Sequence, residues 1–134
     1  MDVTARGPQV GEELEPVTRV ARNTARGKGI HDDTRAQTLG FEGAPVPGVT
    51  IFAYVIDMLI GFFGEDWTDG GDMDMAFTSP AYVGQRITAR AIVRDRKEED
   101  SGLRVFLDVW AENEEGRKVA SGTASGLLPT GRQP

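Results

Sequence analysis

Cysteine is absent from the 134 residues, which excludes disulfides, thiolate nucleophiles and thiolate metal sites. Histidine occurs once, as His31. A catalytic zinc site takes three protein ligands of suitable type, and one histidine among scattered acids offers no such set, so neither metal nor cofactor is expected. Basic residues are outnumbered, 15 Lys and Arg against 21 Asp and Glu, for a net charge of −6. They are also dispersed, without the clustered basic face that a nucleic-acid backbone requires. Long apolar runs are missing too: nothing reaches bilayer-spanning length, and Met1–Val20 is polar and acidic with no secretory core. The expectation is a cytoplasmic chain that makes no membrane contact. The 17 glycines include no phosphate-binding loop between a strand and a helix. What remains is a chain of one-domain length, residues 1–134, able to bury a core without metal or disulfide help. Residues 1–13, with no period, and 130–134 read as loose ends.

The period of the apolar residues then sorts the chain. Pro16–Val20 alternates β-branched with polar residues and predicts a short first strand. Asp33 is a good N-cap for a short helix, Thr34–Leu39, which Gly40 stops. A longer helix starts at Gly48, just after Pro47. In it Val49, Phe52, Ile56, Leu59 and Phe63 recur at three- and four-residue steps and predict the buried face. A second apolar row, Ile51, Val55, Met58 and Phe62, makes the helix greasy on most of its circumference. Thr50, Tyr54, Asp57 and Gly61 form the one narrow polar stripe.

Beyond Gly64 the period changes to two. Trp67–Gly71 reads as a turn, after which Met73, Met75 and Phe77 alternate with polar or small residues. Ile87 to Val93, Leu103 to Val109 and Val119 to Leu128 follow as strands, with Asp95–Gly102 as a solvated hairpin tip. A single apolar helix and an antiparallel meander satisfy each other's surfaces, which predicts an α+β arrangement. Spare apolar surface, including Ile92, Phe106 and Trp110, together with a free sheet edge, suggests a homodimer.

Two features point to chemistry. His31 is the only side chain whose unperturbed pKa lies near neutrality, so it can give or take a proton at physiological pH; its alternative is a structural loop histidine. Gly48 opens the long helix without a β-carbon. A carbonyl oxygen can therefore approach unpaired first-turn amides, where the helix dipole favours negative charge; its alternative is a tight turn.

Taken in order, Ile30-His31-x-Asp33, Gly40-Phe41, Pro47-Gly48, Phe77-x-x-Pro80-x-Tyr82-x-Gly84, Gly116, Val119-Ala120-x-Gly122 and Leu128-Pro129 resemble the MaoC-like dehydratases of the hot-dog superfamily. The resemblance, which includes the (R)-specific enoyl-CoA hydratases, covers roughly residues 14 to 129. It implies a hot-dog fold, in which a curved antiparallel sheet wraps one long helix. It also implies a lyase that adds water to, or removes it from, an acyl thioester of coenzyme A or acyl carrier protein. The family's hydratases use an Asp-x-x-x-x-His pair and a backbone amide at the helix start. His31 matches the histidine and Gly48 the glycine, with Val49 beside it; the aspartate position holds Arg26.

A carboxylate would then have to come from elsewhere. Asp57 on the polar stripe is the candidate, as orienter of His31 or holder of water, with Tyr54 as proton donor; Asp57 is otherwise a partner for an arginine at the dimer surface. Asp33 serves as a cap or lies on the substrate side. Arg26, in the basic stretch Ala21–Gly29, is either part of a solvated connection or a contact for the phosphates of coenzyme A. Two other classes stay open: a hot-dog thioesterase on the same substrates, and a non-catalytic acyl-ligand-binding protein.

Overall fold

The computed structural model describes residues 7–22 and 45–129. The expected helix Thr34–Leu39, with Asp33 and Gly40, lies outside these residues, as do His31 and Arg26. A strand β1 (Val17–Val20) precedes the helix α1 (Gly48–Phe63). A short helix α2 (Trp67–Gly70) then leads into β2 (Asp72–Phe77), β3 (Arg86–Glu99), β4 (Gly102–Glu112) and β5 (Lys118–Pro129). These form one sheet in the order β1-β3-β4-β5-β2, every pair antiparallel. The sheet wraps α1, as period-two strands with one apolar face require.

The inner face of the sheet comes from the alternation. Ile87, Ala89, Ala91 and Val93 of β3 are buried, and so are Leu103, Val105, Leu107, Val109 and Ala111 of β4. Cross-strand partners match small to large, as in Ala91 against Val109. On the outer face Phe106 and Trp110 lie under cations. Arg94 stands 5.7 Å from the Phe106 ring centroid and Lys118 stands 5.0 Å from that of Trp110. Long basic side chains thus shield the apolar surface there.

Helix α1 buries Ile51, Val55, Met58, Leu59 and Phe63. The expected face was half right: Leu59 and Phe63 are buried, but Val49 is 72% exposed, and Ile51, Val55 and Met58 of the other row form the centre. A helix that is apolar nearly all round does not fix its own phase; the concave sheet does. Burying Val55 and Leu59 completely is worth about 1.5–3 kcal/mol each. The far end of α1 comes close to the sheet because Gly126 has no side chain. A β-carbon there would stand 2.8–2.9 Å from Trp67 and Phe63, and Trp67 Nε1 donates to the carbonyl of Ser125 at 3.0 Å.

Three boundaries differ from expectation. Trp67–Gly70, read as a turn, is a helical turn. The charged stretch after Asp95 is still strand, because β3 and β4 stay paired as far as Glu99 and Gly102 and Arg104 Nε meets Glu99 Oε2 at 2.9 Å. The later part of the expected loose arm is strapped along β3. Gly11 and Leu14 donate their amides to Val93 and Ala91, and Val93 donates to Glu12; Leu14 is buried.

Candidate active site

Four chain segments meet at the amino end of α1. Val46 donates to the carbonyl of Ala81 at 2.7 Å, and Pro45 bridges to Tyr82. Ala21, just past β1, donates to Gln85, and Gly84 donates back to Ala21. The loop between β2 and β3 therefore ties the end of β1 to the start of α1. It is itself anchored: the Thr78 amide donates to Val119 and its hydroxyl to Lys118, both at 2.9 Å.

The helix begins at Gly48, as expected, with Pro47 as N-cap. Proline offers no side-chain acceptor, and the first turn holds no acidic residue. Among the described residues nothing accepts a hydrogen bond from the amides of Gly48 and Val49, whereas that of Thr50 turns back to Pro47 at 3.0 Å. Two N–H groups at the positive end of a sixteen-residue helix make a place where a developing oxyanion is stabilised.

Tyr54 is half-buried, and its hydroxyl donates to the carbonyl of Val20 at 3.3 Å. A phenol has one proton, so Tyr54 donates to a substrate only by leaving that carbonyl. Asp57 is exposed on the single chain, and its carboxylate makes no hydrogen bond or ion pair to another described residue. At about 1.5 Å of rise per residue it stands about 13 Å along the axis from Gly48. A carboxylate there is beyond direct hydrogen-bond reach of a carbonyl held by the first-turn amides. His31, Asp33 and Arg26 lie outside the described residues, but Ala21 and Pro45, on either side of their segment, are both bound at this end. No group of three or more metal-ligating side chains gathers among the described residues, and no helix among them is long and apolar enough to cross a membrane.

No protein-family model matches the sequence, and no curated protein matches it. Solved structures do match in shape. An unliganded (R)-hydratase from Pseudomonas aeruginosa superposes with a TM-score of 0.73 at 18% identity, covering 90% of this chain and 82% of that one. A MaoC-like dehydratase from Rhodospirillum rubrum gives 0.72 at 16% identity, with 94% of each chain covered. A thioesterase-superfamily member from Thermus thermophilus gives 0.60 at 18%, covering 92% of this chain and 86% of that one.

The chain has the hot-dog fold. It is the α+β arrangement anticipated from the sequence, and its structural neighbours include MaoC-like dehydratases and (R)-hydratases. A hot-dog fold is a scaffold shared by several chemistries, so the activity has to be argued from the site. One residue of the site was missed as functional from sequence, where it is named only in the β2 alternation and within a motif. Phe77, the last residue of β2, lies against Gly48 so closely that a β-carbon at 48 would overlap its ring edge. It stacks on Phe52 at 4.8 Å between centroids and 11° between planes. The signal was there: Met73, Met75 and Phe77 share one face by alternation, and a glycine heads the helix they face.

Proposed function

We propose that the protein is a hydratase or dehydratase of the MaoC type, a hydro-lyase acting on the acyl thioester of coenzyme A or acyl carrier protein. The observation that carries this reading is the pair of amides at Gly48 and Val49 that find no acceptor among the described residues, at the end of the molecule where Ala21 and Pro45, on either side of the His31-bearing stretch of sequence, are bound. A thioester carbonyl seated on those amides gains negative charge as water adds to the β-carbon of its enoyl group. His31 takes the proton from that water and returns it to the α-carbon, so one acid/base group balances the step. In this reading Asp57 orients the imidazole or holds the water. Tyr54 is the second donor on the same stripe, Asp33 stands on the substrate side, and Arg26 contacts the phosphates of the carrier. A cytoplasmic location accords with such substrates.

The reading includes a homodimer through β2. That strand is an edge of the sheet, with Ala76 and Phe77 exposed. A second copy with its helix on the same face pairs symmetrically about one residue. Centring on Met75 sets Asp74 opposite Ala76 of the partner subunit. Centring on Asp74 sets it opposite Asp74 of the partner subunit, and like charges directly opposed are destabilising. The charge pattern therefore favours the Met75 register.

The test is incubation of the protein with crotonyl-CoA, following loss of the enoyl absorbance and release of free thiol. Hydration removes the absorbance without thiol. A thioesterase, the alternative that the Thermus thermophilus neighbour supports, releases thiol and leaves the alkene. A protein that binds acyl-CoA and changes neither signal is a carrier or sensor.

A further inference from the structure

The ring of Phe77 occupies one flank of the helix amino end. Its edge rests on the backbone of Gly48, one face is stacked on Phe52, and the residue is still 51% exposed. It cannot slide back along the sheet, because both hydrogen bonds of Thr78 to the β5 end fix the backbone beside it. Phe52 lies one turn along α1 from Gly48 and blocks rotation in the other direction. An aromatic wall therefore stands beside the two amides that find no acceptor among the described residues.

The geometry points to Phe77, braced by Phe52, as the residue that sets how much bulk the site accepts next to the reacting carbonyl. This rests on the thioester reading above. An oxygen bonded to the amides of Gly48 and Val49 lies about 3 Å from those nitrogens. The ring that touches Gly48 is then a neighbour of the atoms joined directly to that carbonyl, the sulfur on one side and the α-carbon on the other. Selection falls on substituents at the α-carbon rather than on the far end of a long acyl chain. With one face supported by Phe52 the ring resists displacement by a ligand that meets its other side.

The experiment compares kcat/KM for a straight-chain enoyl thioester, crotonyl-CoA, with that for its α-methyl analogue, tigloyl-CoA, in the wild type, Phe77→Ala and Phe77→Leu. One methyl in an apolar pocket is discriminated by about 10-fold or more. The expected result is that Phe77→Ala raises the tigloyl-to-crotonyl ratio by about that factor, with Phe77→Leu between. The ratio of hexenoyl-CoA to crotonyl-CoA is expected to stay at its wild-type value. A general loss of activity or stability lowers all three rates and leaves the ratios alone, so the ratios separate contact from fold. If both variants turn over crotonyl-CoA with an unchanged tigloyl ratio, the wall is not at the α-carbon and the inference falls while the hydratase reading stands. If hexenoyl-CoA shifts as much as tigloyl-CoA, the inference falls as well. If the wild type neither binds nor converts any of the three, the thioester reading fails and the inference with it.

Discussion

Gly48→Ala tests whether the helix starts with glycine because of its neighbour. By intrinsic propensity alanine is favoured over glycine in a helix by up to about 1 kcal/mol, so substitution in isolation stabilises. Here the new methyl overlaps the edge of the Phe77 ring. Overpacking of this kind costs about 1–3 kcal/mol. The ring escapes only by swinging into solvent, which forfeits a stack with Phe52 worth about 0.5–1.5 kcal/mol, while Thr78 holds its backbone in place. The net expectation is a loss of about 0–2 kcal/mol. In a Phe77→Ala background the overlap is gone and the same substitution is expected to stabilise by up to about 1 kcal/mol. Urea unfolding of the four proteins of the cycle, followed by tryptophan fluorescence, gives the coupling energy, expected at about 1–3 kcal/mol. Equal effects of Gly48→Ala in both backgrounds would refute the reasoning, because the glycine would then answer to something other than the ring.

His31→Ala is expected to lower kcat for enoyl hydration by about 10²–10⁴-fold, the usual contribution of a positioned acid or base, with little change in acyl-CoA affinity by calorimetry. Tyr54→Phe removes one long hydrogen bond to Val20 and should lower the unfolding free energy by less than about 1 kcal/mol; a kcat loss of about 100-fold would instead assign it the proton-donor role. Ala76→Asp places a carboxylate opposite Asp74 of the partner subunit, twice by symmetry, and Ala76→Lys places an ammonium there. At about 0.2–1 kcal/mol per cross-strand pair, the first should raise and the second lower the dimer Kd by up to about 30-fold in sedimentation equilibrium. Gly126→Ala drives a methyl into Phe63 and Trp67 and should cost about 1–3 kcal/mol in the same urea assay.

The sheet was legible because period two survives wherever one face is buried, and β3, β4 and β5 are long enough to show it. The start of α1 was legible because Pro47-Gly48 is a strong boundary signal. Its phase was not, because two apolar rows compete and only the concave partner decides between them. Val49 was placed with the core for that reason. The strap over residues 11–14 was invisible for another: its order comes from backbone bonds to β3, which leave no side-chain period. In the site, Gly48 was read from its lack of a side chain. The reason Phe77 requires that lack is a contact between residues far apart in the chain, which no local pattern encodes. Asp57 and Tyr54 lie on one stripe as the spacing said, yet sharing a stripe did not reveal that the tyrosine hydroxyl donates to Val20.

The strap along β3 also bears on how large an assembly can grow. By lying beside β3 next to the four-residue β1, it leaves that flank of the ribbon little exposed backbone to offer a neighbour. Among the described residues only the β2 flank presents a longer free border. A ribbon that is adhesive along one border closes as a pair and stops, whereas one adhesive along both would extend into a fibre.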